Sequence, residues 1–265
     1  MEEPLIHPTA IVSKGAEIAT NVKIGAYSII ESGAILRDNV IVHPHVHISK
    51  TVEIGARSEV FSFAALGHPP QDKSFTGEMS RLFIGCDTVI REYVTMHCGT
   101  KNGRSETRIG DRGYFMAGSH IAHDCIVGDD VVFAQSAAIG GHAVIGNGCN
   151  IGAMSGVHQF CSVGNYAFIG SMSLVTKDVI PYAMALGNHA TLAGLNTVGL
   201  KRRKVSSATI KNMRSAYRKL FQKEGVFEQR VKDVQKEFND TSEVIEIINF
   251  ITGTRKRSLC LPDVK

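Results

Sequence analysis

An aliphatic residue recurs at every sixth position, from Ile6, Val12, Ile18, Ile24 and Ile30 through to Leu66. Four residues after each of the first ten stands something small or β-branched, among them Ala10, Ala16, Val22 and Ser28. The pattern pauses over 67–83, resumes at Ile84, Ile90 and Met96, and pauses again near 101–108. It then runs unbroken from Ile109 through Ile121, Ile139 and Val157 to Val175. A period of six matches neither an amphipathic helix, with its period of about 3.6, nor one alternating strand. It predicts short parallel strands wound into a prism, each coil stacked on the last. With three hexads to a coil, residues 18 apart lie above one another at the spacing of neighbouring strands, about 4.8 Å.

The pattern resembles the hexapeptide-repeat proteins, and that resemblance implies a left-handed winding, against the usual right-handed crossover rule. The fold class expected is therefore mainly β: a left-handed parallel β-helix with a C-terminal α-helical domain. A glycine often follows the aliphatic residue, as at Gly25, Gly55, Gly110 and Gly152. Its expected place is a tight corner, where a missing Cβ relieves backbone strain. The same register puts Cys125, Cys149 and Cys161 at the small inward position, equivalent to Ala137 or Ser155. There a thiol packs as a small hydrophobe, so Cys125 is not read as a nucleophile.

The repeat stops near Pro181. Beyond a bridging segment the pattern turns helical. Ile210, Met213, Tyr217 and Leu220 mark one face, Phe227, Val231, Val234 and Phe238 a second, and Val244, Ile247, Ile248 and Ile251 a third. Asp240 and Glu243 have the spacing of a capping box at the start of the last helix. The expected organisation is a prism over 1–190, with inserts near 67–83 and 101–108, and a helical domain over 191–265. These helices would cover the prism's end or pack on a neighbouring chain, since an open last coil exposes strand edges.

Composition narrows the class without fixing it. Apolar residues make up 43% and charged residues 20%, ordinary for a soluble globular chain. No apolar run approaches the roughly 18 residues of a spanning helix. The start, Met1-Glu2-Glu3-Pro4, lacks the basic segment and apolar block of a secretory signal. A cytoplasmic protein without membrane insertion is expected. Six cysteines without paired spacing argue against a disulfide framework. The net charge of +4 is uneven: residues 191–265 hold sixteen Lys/Arg against eight Asp/Glu, leaving about −4 on the first 190. A basic end on an acidic body fits an acidic partner or an anionic substrate, or else a solvated helical surface.

The chemistry gathers on one stripe. Counting in eighteens from His123 gives Gly141 and Gln159, so His123/Asp124, Gly141/His142 and His158/Gln159 share one face in three consecutive coils. His120 is placed at the corner leading into it. Three readings compete. An imidazole with a solution pKa of about 6.5 can take a proton from a hydroxyl, oriented by the adjacent carboxylate, while Gly141 offers a backbone N–H to an oxyanion. Alternatively three histidines could hold zinc, as in γ-class carbonic anhydrases, although the spacing of His120, His123, His142 and His158 does not match that ligand set. Or the protein is a scaffold whose histidines bind a ligand.

The motifs are more specific than the repeat. Ile6-His7-Pro8-Thr9-Ala10, Pro70-Gln71-Asp72 through Gly77-Glu78, His120-Ile121-Ala122-His123-Asp124-Cys125, Val157-His158-Gln159-Phe160-Cys161, Gly187-Asn188-His189-Ala190-Thr191 and Gly199-Leu200-Lys201-Arg202-Arg203 resemble one family over nearly the whole chain. It is the acyl-ACP–UDP-N-acetylglucosamine O-acyltransferases, which open lipid A synthesis. The resemblance implies a homotrimer with sites between subunits, acyl carrier protein and UDP-N-acetylglucosamine as partners, no nucleic acid, no metal and no cofactor beyond the carrier's phosphopantetheine. It implies His123 as general base supported by Asp124, with the Gly141 N–H on the oxyanion. His120, His142, His158 and Gln159 would line the sugar and acyl channel. Gln71, Asp72, Lys73, Asn196 and Arg202 would hold the nucleotide sugar, Arg202 by its planar fork of donors. Three positions depart from the family pattern: Val198 stands for a glutamate, Ser74 for a lysine, and Ser171 for the glycine often found where acyl length is measured. The larger Ser171 is expected to shorten or loosen the chain-length preference. A 3-amino sugar in place of the 3-hydroxyl acceptor remains the alternative.

Overall fold

A computed structural model describes residues 5–254 and 256–263. Its strands form three parallel sheets, the faces of a left-handed parallel β-helix. The first face carries Ile11–Val12, Ile29–Ile30, His120–Ile121, Ala138–Ile139, Gly156–Val157 and Leu174–Val175 among its nine strands. The second includes Ile126–Val127, Val144–Ile145 and Ser162–Val163; the third includes Val132–Phe133, Asn150–Ile151 and Phe168–Ile169. Strict pairing, Ile121 with Ile139 and Ile139 with Val157, is the expected eighteen-residue register. The aliphatic positions fill the interior, with Ile30, Leu36, Ile48, Leu66, Ile121 and Ile169 wholly buried.

Cys125, Cys149 and Cys161 are also fully buried, as the register requires. Burial pushes each thiol up to about 12, which removes the thiolate from any neutral-pH chemistry. The inserts lie where the pattern pauses, between Ala65–His68 and Arg81–Ile84 and between Thr95–His97 and Glu106–Ile109.

The role of the glycines is corrected by the structure. The left-handed corner conformation falls not on the glycine after the aliphatic residue but two positions later, on residues such as Asn39, Asp130, His142 and Phe160. Those residues are held by backbone bonds to the preceding coil, His142 N–H to His123 O at 3.0 Å and Phe160 N–H to Gly141 O at 3.0 Å. Gly55 and Gly152 have no positive φ. A Cβ at Gly55 would meet the Gly85 carbonyl carbon at 2.5 Å, and one at Gly152 the Ser171 nitrogen at 2.4 Å. Glycine is needed there because backbones of successive coils touch.

The coil ends in an antiparallel hairpin of Ala183–Leu186 and Thr191–Leu195, which extends the third face. The expected division at 190/191 lies at this hairpin's tip. Four helices follow among the described residues: α1 (Thr197–Arg202), α2 (Ser207–Leu220), α3 (Phe227–Glu237) and α4 (Ser242–Thr252). The last three bury the predicted apolar faces, including Met213, Leu220, Val234, Val244 and Ile247, in a core continuous with the prism. Glu246 of α4 fastens them down, accepting from Asn165 Nδ2 at 2.7 Å and from the Tyr182 hydroxyl. The Asp240–Glu243 capping box does not form. The helix starts one residue later, with Thr241 as its cap. The Thr241 hydroxyl is occupied instead by Asn212 at 3.2 Å and Asp240 at 3.2 Å.

Gly152→Ala should destabilise the protein by about 1–3 kcal/mol through forced backbone movement. Gly156→Ala, whose Cβ would meet only Leu174 Cδ1 at 3.5 Å, should be near neutral. Urea denaturation of the two variants beside the parent checks the contrast.

Candidate active site

The stripe of polar residues is an edge of the prism, not a face. His123-Asp124, Gly141-His142 and Gln159-Phe160 are stacked corner pairs between the first and second faces. His120 exchanges places with them: it lies on the strand His120–Ile121, projecting from the first face, and does not form the corner. Corner residues project away from the packed interior, which is why the repeat can carry polar chemistry without disturbing its core.

His123 Nδ1 lies 2.8 Å from Asp124 Oδ2. Asp124 is fully buried, yet its carboxylate is held by several donors: Thr100 N–H at 3.1 Å, Thr100 Oγ at 2.7 Å and Arg104 N–H at 2.6 Å. Burial pushes this carboxyl up, but the bonds from His123, Thr100 and Arg104 outweigh it and hold the group below its ordinary value. An ionised carboxylate only accepts, so His123 must donate from Nδ1, and its Nε2 keeps the lone pair of a base. His142 packs edge-on against His123, with ring centroids 5.2 Å apart, and stacks on Phe160 at 4.4 Å. Burial, against the pull of Asp124, lowers the pKa of His142.

Gly141 is the close neighbour of the His123 ring. A Cβ there would meet His123 Cε1 at 2.5 Å and Nε2 at 2.6 Å. At the edge between the second and third faces, the corresponding amide is capped by a side chain one coil on. Asp129 N–H donates to Asn147 Oδ1 at 2.8 Å, and Asn147 N–H to Asn165 Oδ1 at 2.7 Å. Gln159, the equivalent residue here, does not cap Gly141, whose N–H has no hydrogen bond among the described residues. A donor 18 residues from His123 is thus left for a ligand, an arrangement able to serve an oxyanion.

Several residues escaped the sequence reading. Thr100, Gly103 and Arg104 belong to the second insert, which folds over Asp124; a Cβ on Gly103 would strike the Asp124 carboxylate at 2.3 Å. Glu78 joins the two inserts by accepting from Lys101 N–H at 3.1 Å. His97 is 5% exposed, edge-on to His120 at 5.0 Å, and its Nδ1 has no hydrogen-bond partner among the described residues. Burial, followed by the neighbouring His120, His68 and His123, lowers it to about 4. The insert broke the count of eighteen: Met96 pairs with Ile121, 25 residues on, which hid His97 from the stripe. His120 is oriented by Thr95 Oγ1 at 2.7 Å and is lowered by burial and by His123.

The other expected site residues do not all reach this edge. Asp72 does, since His123 and His142 both help to lower its pKa after its bonds from Ser74. Ser74, at the position where lysine was expected, donates its N–H at 2.8 Å and its hydroxyl at 2.9 Å to Asp72 Oδ1, fixing that loop. Gln71 and Lys73 flank Asp72, exposed. Ser171 lies at the edge between the third and first faces. Asn196 lies by the remaining edge, capping α1: it accepts from Gly199 N–H at 3.0 Å and donates to Tyr166 O at 3.1 Å. Arg202 ends that helix, and Val198 within it is exposed and offers no polar group. Within one chain the expected substrate residues therefore occupy three different edges.

His123, Asp124 and His142 are the one three-donor group among the described residues whose ligand atoms lie within 4.8 Å of one another. Both Asp124 oxygens are already taken by Thr100, Arg104 and His123, so the set is built to orient an imidazole and fits a metal poorly. No helix among the described residues is long and apolar enough to cross a membrane.

A prism of hexads with a carboxylate-oriented imidazole and an open glycine amide at one edge defines the hexapeptide acyltransferase class. Residues 142–177 match the family model described as bacterial transferase hexapeptide (six repeats), and residues 178–260 match domain 2 of UDP-N-acetylglucosamine O-acyltransferase. Among curated proteins the chain is 48% identical to the acyl-[acyl-carrier-protein]–UDP-N-acetylglucosamine O-acyltransferase of Caulobacter vibrioides, over 97% of this chain and 98% of the relative. It is 47% identical to the same enzyme of Syntrophobacter fumaroxidans, over 96% and 98%. Among solved structures, the UDP-N-acetylglucosamine O-acyltransferase of Moraxella catarrhalis superposes with a TM-score of 0.90 at 39% identity, covering 97% of this chain and 100% of that one. The Campylobacter jejuni UDP-N-acetylglucosamine acyltransferase gives 0.91 at 33%, with 97% and 100% covered. The chain belongs to the acyl-[acyl-carrier-protein]–UDP-N-acetylglucosamine O-acyltransferase family.

Gly141→Ala should displace the His123 ring and lower turnover by about 10²-fold, the scale of a misplacement of roughly 1 Å. Steady-state kinetics with a thermal melt on the same sample separates this from unfolding.

Proposed function

We propose that the protein transfers a 3-hydroxyacyl chain from the thioester of acyl carrier protein to the 3-hydroxyl of UDP-N-acetylglucosamine, the first step of lipid A biosynthesis. The observation that carries the reading is the His123–Asp124 pair beside the open Gly141 amide. His123 Nε2 takes the proton of the sugar hydroxyl as its oxygen attacks the thioester carbon. The Gly141 N–H stabilises the oxyanion. When the C–S bond breaks, His123 returns the proton to the departing thiolate, so acid and base balance within one residue. Asp124 stays ionised and steadies the imidazolium between the two transfers. The chain passes directly to the sugar without a covalent enzyme intermediate, and no resident metal or cofactor is required.

The distribution of substrate residues over three edges supports a homotrimer, in which one subunit's edge meets the different edges of its neighbours. Gln71, Asp72 and Lys73 then approach the sugar beside His123, while Asn196 and Arg202 take the nucleotide and its phosphates. His120, His142, His158 and Gln159 line the channel between them. The excess of basic residues in the helical domain is suited to an acidic carrier, and the reaction is assigned to the cytoplasm. Ser171 occupies the acyl-measuring position from an edge remote from His123.

An assay with 3-hydroxyacyl carrier thioesters against UDP-N-acetylglucosamine and its 3-amino analogue tests donor and acceptor together. Turnover of the 3-hydroxyl sugar is expected, undiminished by exhaustive chelation; a strict demand for the amino sugar or for metal would overturn the reading. His123→Ala should lose about 10²–10⁴-fold in turnover with folding intact. Ser171→Gly should move the optimum toward longer chains, measured across a panel of donors; an unmoved optimum would remove Ser171 from the measuring role.

A further inference from the structure

The segment after α4 returns to the catalytic edge. It is anchored by bonds from Asp178 N–H to Ser258 O at 2.9 Å, Cys260 N–H to Asp178 O at 2.7 Å and Leu192 N–H to Leu261 O at 3.0 Å. Leu259 and Cys260 are buried. Immediately before this anchor, Arg257 turns onto the corner that carries the family's His-Gln pair. Its Nε donates to Gln159 O at 3.1 Å, and its terminal nitrogen lies 3.0 Å from His158 Nδ1. Lys256 lies over the Phe160 ring, 4.9 Å from its centroid.

A guanidinium has donors and no acceptor. The nitrogen facing Arg257 must therefore be unprotonated, which places the proton of a neutral His158 on Nε2. The competing arrangement is within reach: His158 Nδ1 is also 3.2 Å from Gln159 O, to which it could donate as the other tautomer. Arg257 blocks that alternative twice, by claiming the Gln159 carbonyl with Nε and the ring nitrogen with its second arm. His158 Nε2 makes no hydrogen bond among the described residues, so its N–H is available to a ligand.

We infer that Arg257 is a positioning residue that fixes His158 as an Nε2–H donor, the opposite of the tautomer Asp124 imposes on His123. The two imidazoles divide the labour by the charge of their partners. A carboxylate on Nδ1 makes His123 a base at Nε2; a guanidinium on Nδ1 makes His158 a hydrogen-bond donor at Nε2. The inference deepens the acyl-transfer reading above and rests on it for its kinetic consequence, though not for the tautomer itself. The donor serves an oxygen of the bound substrate, of carbonyl, hydroxyl or phosphate type.

The test has two arms. Histidine-selective ¹⁵N labelling, with His158→Gln to assign the signal, reports which ring nitrogen carries the proton. The Nε2–H tautomer is expected for the parent and a shift to Nδ1–H, bonded to Gln159 O, for Arg257→Met. A parent in the Nδ1–H form, or a His158 signal unchanged by Arg257→Met, overturns the proposal. In the kinetic arm, Arg257→Met should lower kcat/KM by about tenfold, the scale of one lost hydrogen bond, and Arg257→Lys should recover part of it. In a His158→Ala background the same change should cost less than about twofold, since residues acting through one another are non-additive. An additive loss would make Arg257 an independent contributor and reject its action through His158. Absence of turnover in the parent would defeat the acyl-transfer reading, while the labelling arm still decides the tautomer.

Discussion

Each coil of the prism hydrogen-bonds its backbone to the coils on either side, and every other feature depends on that ladder. In-register pairing of Ile121, Ile139 and Val157 fixes side chains 18 residues apart at strand spacing, about 4.8 Å. The inward aliphatic residues then have no freedom of position, and the corners inherit the same registry. At this spacing successive backbones touch, which is why Gly55 and Gly152 tolerate no Cβ. The regularity that fills the core also places His123, Gly141 and Gln159 in one column.

The edge that carries His123 differs from its neighbour in one respect that the ladder makes visible. Elsewhere a corner amide is capped by Asn147 or Asn165 from the next coil, so the backbone is satisfied internally. Here the repeating cap is missing and the second insert supplies donors to Asp124 instead. The carboxylate is buried and fully bonded, which leaves His123 Nε2 and the Gly141 N–H among the polar groups of this edge that are open to a ligand. Arg257 extends the same logic to His158 from the far end of the chain. Charge partners chosen at Nδ1 determine what each imidazole can do at Nε2.

The helical domain has a double role in this arrangement. Its apolar faces close the last coil by continuing the prism's core through Leu192, Leu195 and Met213. Its polar residues reach two edges of the prism: Asn196 and Arg203 at Tyr166, and Arg257 at His158. A domain whose packing seals strand edges therefore also carries polar groups onto the prism's corners.

The period of six was enough to determine the prism, its register, the burial of Cys125, Cys149 and Cys161, and the column of His123, Gly141 and Gln159. That is because a stacked coil maps sequence separation directly onto height and edge. The local pattern did not determine whether His120 or His123 turns the corner, since both readings keep Ile121 inward. It also misassigned the glycines, whose constraint is contact with another coil and so has no local signature. Thr100, Arg104 and His97 were hidden because an insert interrupts the count, and Arg257 because it lies 98 residues beyond Gln159. Sequence fixes position wherever the ladder repeats; only the tertiary structure decides what a loop or a returning tail brings to it, because those contacts follow no period.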